Sequence, residues 1–454
     1  MRTAQVAAAA GRRTALLALG PLPVLGYLAL RALGLTKLAL WGVMGLVAAA
    51  GAIALFVRPR WGVYFLAFHI YSGLGMFLPV NLAAPAMAIA IAAVLLEWLR
   101  GTDLHLPDPA FLAFVGLFFL IALGSVFVAR DAAATFLELI RFGKVLLLIA
   151  LVVHLCRRRE HLRWLCYAVF AGAACTVILG IMGLVYGITG DDAASGVSFM
   201  RFAGAHENPN KAAAYMCSSI PLGVFAMKFC SARWGRALFT VGLVVIFGAI
   251  FATFSRSVVI ALTAVVLGVI IRELRTRPRS FGLLALLLAI GILLAPRYFW
   301  DRVVNLPDAL RDTRQDWSVY TRMLALQTAW EMFLDNPLTG IGLGNFVGSS
   351  AYRLFVRIVV HNTYLEILVG TGILGLTLFL GILGSGLRHA IAGARRRWNS
   401  QPEWVQSMSY YVALAGISIF LSAFFGTISF QYPLWVPVAA GLVIGNLIRA
   451  DQRA

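Results

Sequence analysis

His361 opens the segment His361-Asn-Thr-Tyr-Leu-Glu366, and a glycine-punctuated apolar run follows it to Gly375. An imidazole half-buried near arginines is held neutral, and a neutral imidazole near pH 7 can act as a general base. The same residue could instead cap a helix that starts near Asn362. Glu366, one turn further on, could orient the imidazole or satisfy the helix N-terminus. Two arginines stand at comparable boundaries. Arg201 precedes Phe-Ala-Gly-Ala-His206-Glu-Asn208-Pro-Asn-Lys211. Arg256, in Phe254-Ser-Arg-Ser257, occupies a turn too short to leave the apolar boundary. A guanidinium facing lipid there would cost about 2–3 kcal/mol, so it should snorkel, find an ion-pair partner, or face a cavity or an anion. Guanidinium also grips phosphate oxygens in a bidentate fork. If Arg201, Arg256 and arginines of the loop before His361 share one face with it, they form a diphosphate site beside a base.

The elements that must position these groups are membrane spans. The 454 residues are 61% hydrophobic and only 13% charged, about half the charged fraction usual for a soluble chain. Apolar stretches recur near 14–34, 38–57, 61–79, 82–99, 109–128, 133–155, 164–188, 211–229, 237–254, 257–271, 281–295, 363–386, 408–430 and 432–448. Two of these are short, so 12–14 transmembrane helices are expected. The alternating pattern of a membrane barrel is missing, which leaves an all-α, polytopic integral membrane protein. Arg12 and Arg13 before the first stretch could suggest a cleavable signal, but the run continues into further spans and an uncleaved anchor is expected. The chain reads as a single membrane domain over 1–454, with one long loop at 296–362.

The net charge of +19 looks like a nucleic-acid signal until the cations are placed. With a cytoplasmic N-terminus, 23 of the 38 lysines and arginines fall on inner segments and 12 on outer ones, 7 of the latter in the long loop. The excess is the positive-inside rule, and no nucleic-acid partner is implied. On this topology only His206 and His361 of the seven histidines face outward. The loop at 296–362 carries seven cations against six acids. Within it, residues 320–334 place Met323, Leu326, Gln327, Trp330 and Phe333-Leu334 at helical spacing, a stripe expected to lie on the membrane or against the bundle. Asn336-Pro337 should end that helix, and the glycines from Gly340 to Gly344 should make a sharp turn. A nucleotide-binding role for those glycines lacks the lysine and strand context it needs. The five cysteines show neither knuckle spacing nor a disulfide framework. The adjacent pair Asp191-Asp192 reads as a solvated loop, so no metal site and no cofactor are expected. Glu138, Arg141 and Lys144 share one helix at i, i+3 and i+6, where Glu138 and Arg141 should pair internally and fix packing.

Several motifs in order resemble the O-antigen ligase and polymerase superfamily of bacterial inner membranes. They are Asn208-Pro209-Asn210, Ser255-Arg256, Arg322 with Trp330, Asn336-Pro-Leu-Thr-Gly-Ile-Gly-Leu-Gly-Asn345, and His361-Asn-Thr-Tyr-Leu followed by Gly370-Thr-Gly-Ile-Leu-Gly-Leu. Ser257 replaces the commoner glycine after Ser-Arg. The resemblance spans roughly residues 201 to 376. It implies a GT-C-like membrane-integral glycosyltransferase acting at the periplasmic face on undecaprenyl-diphosphate-linked glycans. In the ligase branch the glycan moves to the outer sugar of the lipid A-core. The implied roles are His361 as catalytic base, with Arg201, Arg256 and Arg322 holding the donor diphosphate. Asn362, Tyr364, Glu366, Asn208 and His206 would support them. The partners expected are the lipid-linked donor, the lipid A-core acceptor and membrane lipid, with the chain a monomer. An O-antigen polymerase or protein-directed oligosaccharide transferase of the same superfamily would share the donor and differ in acceptor. A transporter of lipid-linked glycans would need broken helices and ionisable groups near the membrane midplane, whereas the chemistry-bearing residues here gather at one face.

Overall fold

The computed structural model describes residues 49–77, 81–185, 202–206, 208–276, 304, 317–354, 356–396 and 403–453. Among them the regular structure is helical throughout. In chain order the helices are α1 (Pro59–Ser72), α2 (Ala83–Leu99), α3 (Pro109–Gly124), α4 (Ala132–Leu155), α5 (Arg159–Val185), α6 (Pro209–Phe229), α7 (Arg233–Ala252), α8 (Val258–Thr276), α9 (Trp317–Asp335), α10 (Phe346–Leu354), α11 (Thr363–Arg395), α12 (Glu403–Ser422) and α13 (Tyr432–Arg453). Seven segments are long and apolar enough to cross a membrane: those of α3, α5, α6, α7, α11, α12 and α13. The helices α4 and α8 have the length but carry Glu138, Arg141 and Lys144, and Arg272, Glu273 and Arg275. This is a polytopic all-α membrane protein. The expected spans at 14–34 and 281–295, and most of that at 38–57, lie outside the described residues, as does Asp191-Asp192.

Short polar side chains start the helices. Asp108 Oδ1 accepts from Ala110 N at 2.9 Å, with Pro109 in the first turn of α3. Asn208 Oδ1 accepts from Asn210 N at 2.8 Å and Lys211 N at 3.3 Å, with Pro209 starting α6. An Asx cap followed by proline closes two of the donors a helix start leaves open and presets its first φ. The central helix is α6, with 83% of its apolar window buried, between α7, α12, α5 and α8. The pair α11 and α13 approaches closely enough that a Cβ on Gly441 would stand 2.1 Å from Gly386 O, the small-residue contact usual between membrane helices. Beside it, Phe118, Phe142, Phe379, Phe430 and Trp435 form one aromatic cluster.

The two ends of the bundle differ in charge. At one end Asp108 is paired with Arg449, lies 3.5 Å from Arg388 and 3.3 Å from His389, and so ties α3 to α11 and α13. Asp451 holds Arg396 at 2.9 Å and Arg159 at 3.4 Å, and Lys228 meets Glu273 at 2.6 Å. This end gathers the arginines placed on inner segments by sequence. At the other end start α4, α6, α8, α11 and α13.

The helix expected at 320–334 is α9. Ala325, Thr328, Ala329 and Met332 are buried, in a small core with Phe346, Ile358, Val360 and Val369. Of the expected stripe, Met323, Trp330 and Leu334 are exposed, while Leu326 is half-buried and Phe333 packs on that small core. Alanines let α9 lie close to α11, so Met323, Trp330 and Leu334 are left to the outside. Asn336-Pro337 ends α9, and residues 337–345 are laced into α11. That helix is broken at Gly372 (φ 70°, ψ −174°). The carbonyls of Val369 and Gly370 accept from Ile341 N at 2.9 Å and Gly342 N at 3.1 Å, while Ile373 N donates to Pro337 O at 2.9 Å. Gly340 (φ 66°) lies against the Gly370 backbone, where a Cβ would meet the Gly370 carbonyl carbon at 2.5 Å.

Candidate active site

His361 stands between α10 and α11 with φ 53°, one of two non-glycine residues at positive φ among those described. Such a conformation costs on the order of 1–3 kcal/mol and persists where surroundings enforce it. The helix cap is its neighbour: Asn362 Oδ1 accepts from Tyr364 N at 3.0 Å and Leu365 N at 3.1 Å. Capping therefore does not explain His361.

His361 lines two cavities. One, of about 450 Å³, is polar and lined by Glu138, Arg141, Asn208, Asn210, Lys211, Glu366, Ser429 and Gln431 among others. The second, of about 350 Å³, is walled by Ile260, Leu326, Val360, Leu421, Phe424 and Phe425, with Arg322 and Asn362 its other polar residues. Burial, then the Arg322 guanidinium, then Lys211 pull the His361 pKa down to about 4. The ring is thus neutral at neutral pH and able to accept a proton. An anion bound beside Arg322 would oppose that charge and raise the pKa toward the working range.

Each expected site residue has a definite place, apart from Arg201, which lies outside the described residues. Arg322, on α9, faces the apolar cavity. Arg256 is half-buried in the turn between α7 and α8, next to Ser257 in the polar cavity wall. It is not itself in the lining of either cavity. That turn is set by Phe254 at φ 50° and by Ser255 N donating to Thr253 Oγ1 at 3.2 Å. Asn208 lines the polar cavity while capping α6. Glu366 lines it too, and accepts a hydrogen bond from the Ser429 hydroxyl. It does not serve as the α11 cap.

Two expected supporting residues sit apart. Tyr364 donates to Phe420 O at 2.8 Å and packs on Phe424 with ring centroids 4.5 Å apart, so it secures α11 to α12. His206 packs edge-on against Tyr215 at 5.2 Å, and burial pulls its pKa to about 4. It borders neither cavity.

Sequence reasoning missed three contributors. The Glu138/Arg141 ion pair forms as expected, but it lines the polar cavity, with the Arg141 side chain 59% exposed; Lys144 is exposed as well. Lys211 sits on the first turn of α6, and its motif was the available signal. The segment from Phe425 to Gln431, between α12 and α13, forms one wall. It is pinned by Trp435 Nε1 donating to Ser429 O at 2.9 Å and by Phe430 against Phe142 at 5.2 Å.

Together these put a neutral imidazole on the wall between a polar chamber and an apolar chamber that carries a guanidinium. A search of curated proteins finds no match to this chain. Residues 241–380 match the family model described as O-antigen ligase, a stretch that contains Arg256, Arg322, the laced 337–345 segment and His361.

Proposed function

We propose that this protein transfers a glycan from undecaprenyl diphosphate to the outer sugar of the lipid A-core, at the periplasmic face of the bacterial inner membrane. The observation that carries the reading is His361 on the shared wall of the two cavities, at the end of the bundle away from the arginine-rich clusters. By the positive-inside rule the site end then faces outward. The apolar cavity, open beside Arg322, suits a lipid diphosphate.

The step is a displacement with inversion. The acceptor oxygen bonds to the anomeric carbon as that carbon's bond to the diphosphate oxygen breaks. The acceptor proton passes to His361, and the bonding pair leaves with undecaprenyl diphosphate. Arg322 and Arg256, with Arg201, meet the charge growing on the leaving group. Donors set in place before reaction are usually the largest electrostatic contribution to such a step.

The test uses the purified full chain in nanodiscs with undecaprenyl-diphosphate-linked glycan and lipid A-core. Glycan should appear on the lipid A-core with inverted anomeric configuration. Lengthening of the lipid-linked glycan with no transfer to lipid A-core would overturn the ligase reading in favour of polymerisation.

A further inference from the structure

The polar cavity is wrong for a diphosphate. Its ionisable side chains, besides His361, are two carboxyls and two cations: Glu138 paired with Arg141 on α4, Glu366 on α11, and Lys211 on α6. Their formal charges sum to zero, and Glu366 lies within electrostatic reach of the other three. An anion placed there would lie against two carboxyls. In the neighbouring cavity it would meet Arg322 and no carboxyl. The mixed set instead suits a group that both donates and accepts, which is the hydrogen-bonding character of a sugar ring's hydroxyls.

The set is also built rather than incidental. The Ser429 hydroxyl holds one oxygen of Glu366, and Ser429 is itself fixed through its carbonyl by Trp435 Nε1 at 2.9 Å. The remaining lone pairs of that carboxyl are left for a ligand in a fixed orientation, and fixing such groups in advance lowers the cost of binding. A volume of about 450 Å³ lies in the range of small-molecule sites.

We infer that the polar cavity is the acceptor chamber: it receives the terminal neutral sugar of the acceptor glycan, with Glu366 and the Glu138/Arg141 pair orienting its hydroxyls so that the reacting one meets His361 at the boundary with the donor. The inference rests on the transfer reading proposed above. Glu366, Glu138 and Arg141 are binding and specificity groups, and His361 remains the proton acceptor.

Binding and turnover separate the two ideas. Lipid A-core alone should raise the melting temperature of the full chain in nanodiscs. Arg141→Ala, whose side chain is 59% exposed and dispensable for packing, and Glu138→Gln should each abolish that shift, whereas His361→Asn should retain it. In two-substrate kinetics both chamber variants should raise the acceptor KM at least about tenfold while the donor KM stays within about twofold. Arg322→Lys should do the reverse. A donor KM that rises with the chamber variants, or an acceptor KM and thermal shift that do not move, would overturn the chamber. If the wild type binds lipid A-core in a chamber-dependent way but transfers nothing to it, the proposed reaction fails and the acceptor chamber stands.

Discussion

Replacing Gly372 by alanine should damage the site from a distance. Gly372 adopts φ 70° and ψ −174°, a region open essentially to glycine alone, and a side chain held there costs about 1–3 kcal/mol. A Cβ at this position would also stand 2.2 Å from Leu338 O and 2.8 Å from Pro337 O. Both are backbone atoms that cannot swing aside, so the 337–345 segment must move. Moving it breaks the bond from Ile373 N to Pro337 O, worth about 1 kcal/mol net, and the total is about 2–4 kcal/mol. The displacement reaches the site by two routes. Asn345 Nδ2 donates to Thr135 Oγ1 at 3.0 Å and Asn345 Oδ1 accepts from Asp131 N at 2.7 Å, holding the start of the helix that bears Glu138 and Arg141. The same segment continues from α9, which bears Arg322. A 1 Å shift of such groups can cost on the order of 10²-fold in rate. The assay is the thermal melt and glycan-transfer rate of Gly372→Ala beside Gly384→Ala, a position on the same helix with nothing within 4 Å of the added carbon. The control should be neutral or slightly stabilised through better helix propensity. Equal melting points and rates for the two variants would refute the claim that the broken helix organises the site.

Three further outcomes follow from the geometry. Reporters fused at residue 330 should read periplasm and those at 160, 275 and 395 cytoplasm, because the clusters around Asp108, Asp451 and Glu273 mark the arginine-rich end; a cytoplasmic signal at 330 would contradict the orientation. The His361 pKa lies below its ordinary value, at about 4 in the unliganded protein, so protonation disables the base only on the acid side. Then kcat/KM should stay flat from pH 8 to about 5 and fall below that, and the limb in kcat should lie at higher pH because the bound diphosphate raises the pKa; an acid limb in kcat/KM near 6.5 would show that burial, with Arg322 and Lys211, does not hold the imidazole's pKa down. Arg256→Lys keeps the charge but loses the two-pronged geometry, so transfer should fall at least about tenfold with the melting point unchanged; wild-type transfer would remove Arg256 from the donor's contacts.

Much of this was legible in the sequence because the signals are local. The helix starts near 211 and 362 were legible as the onset of apolar runs, and the Asn208 and Asn362 caps that set them act only on the next three residues. The turn at Gly340–Gly344 read correctly as a tight bend, but its lacing into α11 depends on carbonyls freed by Gly372, some thirty residues away, and no local pattern announces them. Which surface the apolar stripe of α9 meets stayed open in the sequence because hydrophobicity alone does not separate a stripe facing outward from one facing protein; the buried alanines at 325 and 329 set the packed face. Glu138 and Arg141 satisfied an i, i+3 pairing and so looked self-sufficient. Only the tertiary approach of Glu366, Lys211 and the 425–431 segment turns that pair into a cavity wall.

The central claim is that His361 takes the acceptor's proton, and substitution by asparagine tests it most directly. Asparagine can accept a hydrogen bond and tolerates positive φ better than most residues, so it preserves the backbone at φ 53° while removing a group that can be protonated near pH 7. Asn362 supplies the helix cap, so capping is untouched by the change. The rate of glycan transfer to lipid A-core by His361→Asn, with protein stably inserted and donor binding intact, should fall about 10²–10⁴-fold and match that of His361→Ala. Transfer by His361→Asn within a few-fold of wild type, with His361→Ala impaired, would show that the residue holds structure rather than a proton and would contradict the mechanism.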